Sequence, residues 1–464
     1  MNDTIQNPQM ISALHAAFGA DQVLLGEATE RYLHDWSGIG AKSALAVLRP
    51  RSTEELCALM ELCHAHDQPV IPQGGLSGLV GGAVPRGGEV LVSLERMNRI
   101  EKIDTESGTV TVEAGAVLQN VQEACREAGA LLAIDLGARG SCQIGGNVAT
   151  NAGGNRVIRY GTTRDLILGL EVVLADGTVL DMMNQMAKNN AGMDLKHLFI
   201  GSEGTLGIVS KVVVKLHPLP LRTCTALVGT ESYASALTFL RQAQASLSGQ
   251  VSAFEIMWSD YLEIVSETCA LRSPLDGDYP VYVLIDMHCG QPETDAARFQ
   301  AMLEQAFQQG SILDGAVAQS VAEAASFWSL RDGISEILRD FAPTLNFDVS
   351  VPVARIGECA EHIRANLKRD WPVLNALFFG HVGDGNLHVV VCRVPNSPEE
   401  LERVEKAVYS VVGRYRGSIS AEHGVGTLKK HWLAYSRTPA ELALMRGLKK
   451  VLDPKGLLNP GKLI

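Results

Sequence analysis

Apolar and polar positions along the chain repeat with two periods, one of about 3.6 residues and one of two, and these mark helices and strands respectively. Leu14, Ala17 and Phe18 lie at helical spacing and make residues 1–44 a helical, peripheral segment. Ser52 with Glu55 forms a capping box ahead of the stripe Leu56, Leu59, Leu62 and Cys63, which predicts a helix from residue 52. Strand-like runs follow at 69–71, 90–94 and 109–113. A helix is expected over 117–128 (Val117, Leu118, Val121, Cys125), stopped by Gly129. Strands return at 168–174 and 178–182, joined by an Asp176-Gly177 turn, and again at 210–216. The Pro-rich link His217-Pro218-Leu219-Pro220 marks the clearest boundary in the chain. Beyond it, apolar strands and Ala-rich helices alternate around 223–229, 232–247, 280–287 and 295–308, which predicts a second α+β region. A helix carrying Phe327–Ser335 and a strand at 347–352 come next. The turn-forming tail Leu452–Lys462 is expected to pack back on the core. There is no internal repeat, low-complexity tract or block of like charge.

The stretch Phe378–Val391 places apolar runs on either side of Asp384-Gly385, the strongest short-range signal for a two-residue hairpin turn. With that turn, His381 pairs with His388 and their Cβ atoms stand roughly 4.5–5.5 Å apart on one face. Two imidazoles so placed can reach one divalent metal; the alternative is an ordinary polar hairpin mouth. Ser420–Gly426 offers a third ligand, Glu422, and a neighbour, His423. Adjacent side chains diverge on extended backbone, so only one easily faces a given metal and the other is placed to act as a general base; the alternative is a Glu-His turn with glycines as punctuation. Two histidines and a carboxylate leave an open coordination position, as a catalytic metal requires. Arg331 and Ser335, four apart, share a face if the helix is continuous. Arg331 then either faces solvent or grips a carboxylate with two parallel hydrogen bonds.

Three Gly-rich stretches fall in the first half: Pro72–Gly82, Gly140–Asn155 and Phe199–Val209. Amides in such loops converge on anions, and the small side chains of the second would let extended backbone line a long flat ligand. Together they imply a large phosphate-containing cofactor. None fits the helix-opening Gly-x-Gly-x-x-Gly pattern, so a nicotinamide-binding Rossmann domain is not expected. With 464 residues, the chain is long enough for two or three domains. A net charge of −12 disfavours nucleic acid as a partner. No run of 18 apolar residues and no basic-then-apolar N-terminus appear, so neither a membrane span nor a secretory signal is expected. Nine scattered cysteines without Cys-x-x-Cys read as reduced thiols, which places the chain in the cytoplasm. Cys142, the only one inside a motif, is assigned a structural role.

Taken together these motifs resemble the flavin-binding domain of the vanillyl-alcohol-oxidase (p-cresol-methylhydroxylase) type, and most closely the FAD-dependent D-2-hydroxyacid dehydrogenases. That family includes D-2-hydroxyglutarate dehydrogenase, D-lactate dehydrogenase and the flavin subunit of glycolate oxidase. The resemblance runs from about residue 40 to the end and is dense at 72–82, 139–180, 194–209, 378–388 and 420–462. It implies an α+β fold with a helical segment at 1–39, a FAD-binding domain at 40–218, a substrate- and metal-binding cap at 219–435, and a returning segment at 436–464. FAD would be held by Pro72, Gly74, Gly75, Ser77 and Gly78 at the pyrophosphate. Ser141, Gly145, Asn147, Thr150, Gly153 and Gly154 would follow along the isoalloxazine and ribityl chain, with Glu203, Gly207 and Ile208 near the adenosine, and Asn459 added from the tail. Leu76 and Ser77 stand where covalent relatives carry a histidine, so the flavin is expected to be non-covalent. The resemblance also places a divalent metal, usually zinc, on His381, His388 and Glu422. It makes His423 the base and Arg331, assisted by Ser335, the clamp on the substrate carboxylate.

Two departures bear on the substrate. Asn346 stands where D-2-hydroxyglutarate dehydrogenases tend to carry a lysine, and Val390 where they tend to carry an asparagine. Losing a cation and a polar contact brings a smaller or more apolar D-2-hydroxyacid level with the dicarboxylate. The implied activity is oxidation of a D-2-hydroxyacid (D-2-hydroxyglutarate, D-lactate or D-malate class) to the 2-oxoacid by hydride transfer to flavin N5. The implied acceptor is an electron-transfer flavoprotein, a quinone or a cytochrome, and a homodimer is allowed. The alternatives are a flavin oxidase passing electrons to oxygen and a non-catalytic electron-transfer subunit; a purely structural zinc protein would be colourless.

Overall fold

The structure, a computed structural model, describes residues 7–40 and 43–464; the parts of the expected N-terminal helical segment and cofactor domain at 1–6 and 41–42 lie outside the described residues. Two compact units emerge. The first gathers the described residues up to Gly154 with 161–219 and 422–464, and the second gathers 155–160 with 220–421. The last crossing thus comes at Ala421/Glu422, and residues 422–435, assigned to the cap from the sequence, belong to the first unit. Thr427 and Leu428 amides bond to the Val80 carbonyl (2.9 and 3.2 Å), and Leu463 donates to the Gly426 carbonyl at 3.0 Å. Those bonds tie the stretch to the first unit's loops.

In the first unit, Ala46–Leu48, Val90–Ser93 and Val70–Gln73 pair in parallel, with Val23–Leu24 antiparallel at the edge. The three parallel strands are apolar on both faces, as a sheet covered on both sides requires. The helix Thr53–Ala65 starts where expected: Ser52 accepts from the Glu55 amide at 3.3 Å. The reciprocal arm of the capping box goes to the Arg51 amide (2.9 Å). The N-terminal segment is not one helix. Pro8–Phe18 is helical, and 3-10 turns at Ala20–Gln22 and Gly26–Tyr32 follow. A second, antiparallel sheet orders Ile100–Asp104, Thr109–Glu113, Ile208–Lys215, Ile167–Val173 and Val179–Met182. Ile144–Thr150 is helical rather than extended, because Ile144 and Val148, one turn apart, bury on the same face and Thr150 closes the turn onto the Gly146 carbonyl (3.2 Å). The tail returns to this unit as expected: Leu458 bridges Val70, and Asn459 donates to the Val70 carbonyl at 2.8 Å.

The second unit is built on one antiparallel sheet of seven strands. Their order is Asp314–Val317, Arg222–Thr230, Val281–Cys289, Val251–Trp258, Asn375–Gly380, Asn386–Cys392 and Thr344–Ser350. Val251–Trp258 lies at its centre and is buried throughout, so it shows none of the alternation that betrays a strand. Residues 155–160 join this unit through Arg156, whose guanidinium bonds the Asp286 carboxylate at 2.9 Å, and through Arg159, which donates to the carbonyls of Gln250 and His288 (3.1 and 3.0 Å).

His288 sits beneath that segment, 5 % exposed, with Tyr160 Oη 2.9 Å from Nδ1. Burial first, and then the charges of Arg156 and Arg159, push its pKa down to about 3. The unfolded chain therefore binds a proton that the folded chain refuses. The stability His288 contributes is complete above its usual value of 6.5 and is lost as the pH falls from there toward 3. His288→Asn is expected to flatten the dependence of the melting temperature on pH between 4 and 7. Thermal melts across that range check it, and an unchanged slope refutes it.

Candidate active site

The sheet register of the second unit sets the site. Asn375–Gly380 and Asn386–Cys392 form the expected hairpin, but Phe379, not His381, lies opposite His388. The turn is longer than two residues: Val382–Asp384 makes a 3-10 turn and Gly385 takes the left-handed conformation (φ 95°). The register is displaced by two positions, an even number, so His381 stays on the face of His388. The two imidazoles meet edge to face with centroids 5.3 Å apart, both nine-tenths buried.

Neighbouring strands extend this polar row. Met257 pairs with Phe379 and Ile256 with Gly380, so one step further Glu255 falls opposite His381. Its Oε1 lies 2.7 Å from His381 Nδ1, and its Oε2 accepts from Arg331 Nε at 2.8 Å. Arg331 Nη2 lies 3.3 Å from His381 Nε2, and the guanidinium stacks over Phe379 at 4.9 Å. Burial pushes the Glu255 carboxyl up, but His381 and Arg331 outweigh it and hold the pKa at about 2. Across the last strand pair, Asp348 lies opposite His388, with Oδ1 4.0 Å from Nδ1. Its Oδ2 accepts from the Ala421 amide and the Ser420 hydroxyl (3.1 and 3.2 Å), fixing the chain one residue before Glu422. Asn346 lies directly opposite Val390, one pair further along the same face.

Arg331 and Ser335 do not share a helix. Val321–Asp332 ends, and Ile334–Asp340 begins, at Gly333. A Cβ there would sit 2.6 Å from a Val265 methyl, so only glycine lets the chain pass that close. Arg331 turns into the unit, 5 % exposed, while Ser335 faces out.

The first unit holds the remaining candidates. A Cβ on Gly75 would lie 1.9 Å from the Ser141 carbonyl oxygen, so the first two Gly-rich loops are pressed backbone to backbone. Pro72 and Gly74 lie at the start of that contact, with Ser77 and Gly78 further along the loop and half-buried. Gly145 and Asn147 sit on the short helix Ile144–Thr150, which Thr150 ends, with Gly153 and Gly154 just beyond. Glu203 is held by the third loop, near Gly207 and Ile208. Its two carboxylate oxygens accept from the Val425 and Gly426 amides, each at 2.7 Å, so it anchors the segment that follows His423. Asn459 donates to the Gly82 and Glu203 carbonyls (3.1 and 2.7 Å). Gln73 Oε1, Gln143 Oε1 and Asn459 Oδ1 are buried without a hydrogen-bond partner among the described residues. Buried polar atoms of that kind carry a penalty of roughly 1–3 kcal/mol each unless something polar meets them. A dinucleotide along these loops would do so, and the residues fit FAD. Glu422 accepts from the Gly154 amide at 2.6 Å, and both Glu422 and His423 are half-buried.

Sequence reasoning missed Glu255 and Asp348. Glu255 is the only charged residue in an eight-residue run that is apolar apart from Ser252, and charged residues are almost never fully buried unless paired. That was the available signal.

The fold is shared with a solved enzyme: a structure of p-cresol methylhydroxylase with substrate bound superposes with a TM-score of 0.76 at 18% identity, covering 98% of this chain and 96% of that one. The class is thus the α+β fold of that enzyme. Residues 44–183 match the FAD binding domain family, and 219–463 match the C-terminal domain of FAD linked oxidases. D-2-hydroxyglutarate dehydrogenase of Xanthomonas citri pv. viticola is 41% identical over 94% of this chain and 92% of its own length. The mitochondrial D-2-hydroxyglutarate dehydrogenase of Arabidopsis thaliana is 39% identical over 96% of this chain and 78% of its own. The chain belongs to the family of FAD-dependent D-2-hydroxyacid dehydrogenases.

Proposed function

We propose that this protein oxidises a D-2-hydroxyacid of the D-2-hydroxyglutarate, D-lactate or D-malate class to the 2-oxoacid, with FAD held non-covalently on the Gly-rich loops of the first unit. The observation that carries the reading is the buried cluster in which Arg331, from the helix Val321–Asp332, meets the Glu255–His381–His388 row of one sheet face, in a chain whose relatives are named D-2-hydroxyglutarate dehydrogenase. Bound FAD supplies the two-electron acceptor for the hydride from Cα, and a divalent metal, zinc in the first instance, supplies positive charge beside the substrate oxygens. His381 and His388 are the metal ligands of the second unit, and Glu422 is the third ligand assigned by the sequence pattern. His423 removes the hydroxyl proton. Arg331 orients a carboxylate through its Nη groups while Glu255 holds its Nε, which lowers the barrier through positioning. Ser335, facing outward beyond the Gly333 break, has no part in that clamp as placed.

Asn346 opposite Val390, the latter packed among Leu377, Phe379 and Ile337, puts no cation at the far end of the histidine face. That supports short or apolar tails beside the dicarboxylate indicated by the relatives' names. Electrons then pass to an electron-transfer flavoprotein, a quinone or a cytochrome. All nine cysteines are unbridged, which supports a reducing compartment; the cytoplasm is the reading from the sequence, and the Arabidopsis relative is named mitochondrial. Among the described residues no helix is long and apolar enough to cross a membrane.

The test is anaerobic bleaching of the flavin absorbance with D- and L-lactate, malate and 2-hydroxyglutarate, and with glycolate. Reduction by at least one D-isomer, and not by its L-partner, is the expected result; no bleaching by any D-acid refutes the reading. Admitting air to the reduced protein then separates a dehydrogenase from an oxidase.

A further inference from the structure

Glu255 takes no part in the transfer of hydride or proton, yet it is 1 % exposed and sits at the centre of the row. We propose that Glu255 is a positioning residue: its carboxylate fixes the tautomer of His381, presenting Nε2 for a divalent cation, and anchors Arg331 beside it. This rests on the metal reading of the histidine pair given above.

Three observations carry it. A fully buried carboxylate persists only when paired and hydrogen-bonded, and both of its oxygens are engaged here, Oε1 by His381 Nδ1 at 2.7 Å and Oε2 by Arg331 Nε at 2.8 Å. An ionised carboxylate only accepts, so at that distance His381 Nδ1 must carry the proton, and the lone pair of a neutral imidazole is confined to Nε2, where a cation would take the place of the Arg331 Nη2 contact at 3.3 Å. The placement is also imposed by the sheet, because the Met257–Phe379 and Ile256–Gly380 pairs leave Glu255 opposite His381. A histidine that donates its other N–H to a carboxylate is the usual support for a metal-binding imidazole, and it raises the basicity of the free nitrogen.

Glutamine at 255 keeps the shape but removes the charge, and its amide can rotate to donate to Nδ1, which selects the wrong tautomer. The experiment is calorimetric titration of zinc alone into chelator-stripped, FAD-loaded protein: wild type, Glu255→Gln and His388→Ala. Glu255→Gln is expected to weaken zinc by roughly 10–100-fold at unchanged FAD content. A carboxylate that merely stabilises the fold would lower the melting temperature and leave zinc affinity alone, so wild-type affinity in Glu255→Gln overturns this role while the metal reading stands. Equal zinc binding by wild type and His388→Ala overturns both. Should Glu255→Gln fail to fold, Glu255→Asp carries the test: it keeps the charge but withdraws it by one methylene, so several-fold weaker binding is expected and wild-type affinity refutes the proposal.

Discussion

His423→Ala is expected to reduce turnover by roughly 10²–10⁴-fold, the range that a positioned general base supplies, while the protein stays yellow. The imidazole is half-buried, and the backbone on either side of it is held by other groups. Glu203 holds the Val425 and Gly426 amides just beyond, and the Gly154 amide bonds Glu422 just before. Neither contact involves the His423 side chain, so the cofactor loops are expected to survive the change. Rapid-mixing measurement of flavin reduction under anaerobic conditions, with flavin content from absorbance, separates lost chemistry from lost cofactor. Reduction within a few-fold of wild type would remove His423 from the mechanism.

The second large effect is structural. Arg331→Leu leaves the Glu255 carboxylate buried beside His381 without its guanidinium partner, and breaking a buried pair from one side is expected to destabilise by about 3–5 kcal/mol. For a unit of this size that corresponds to a fall in melting temperature on the order of 10 °C. The double change Glu255→Leu with Arg331→Leu removes both charges and should recover most of the loss, because apolar side chains in place of a buried pair are often neutral. Thermal or denaturant unfolding of the three proteins measures this directly. If Arg331→Leu alone melts with the wild type, the guanidinium is not what keeps Glu255 ionised. The sign with pH follows from the depressed carboxyl: the pair's contribution is complete above the ordinary carboxylate value of 4.5 and is lost as the pH falls toward 2.

Much of this was legible in one dimension. Local spacing located the capped helix at Thr53–Ala65, the strands Val70–Gln73, Val90–Ser93, Thr109–Glu113, Ile167–Val173, Val179–Met182 and Ile208–Lys215 of the first unit, though not Ala46–Leu48 or Ile100–Asp104, and the hairpin carrying His381 and His388, because such signals depend on residues a few positions apart. Gly-rich loops announced a large cofactor for the same reason: backbone that must approach a ligand or another loop excludes side chains within its own few residues.

What escaped was set by contacts between distant segments. The helix at Ile144–Thr150 forms because Ile144 and Val148 have a core to enter, which small-residue composition alone does not reveal. The helix carrying Arg331 ends, and the one carrying Ser335 begins, at Gly333, where Val265, from another helix, occupies the space a side chain would need.

The chain by itself determined which residue types could do chemistry, the class of cofactor, and that both histidines share a sheet face, since a displacement by two leaves parity intact. Only the tertiary structure decided that Glu255 stands opposite His381 and that Asp348 stands opposite His388. Each pairing joins strands far apart in sequence, and its register is fixed by the closing of the whole sheet, not by any local period.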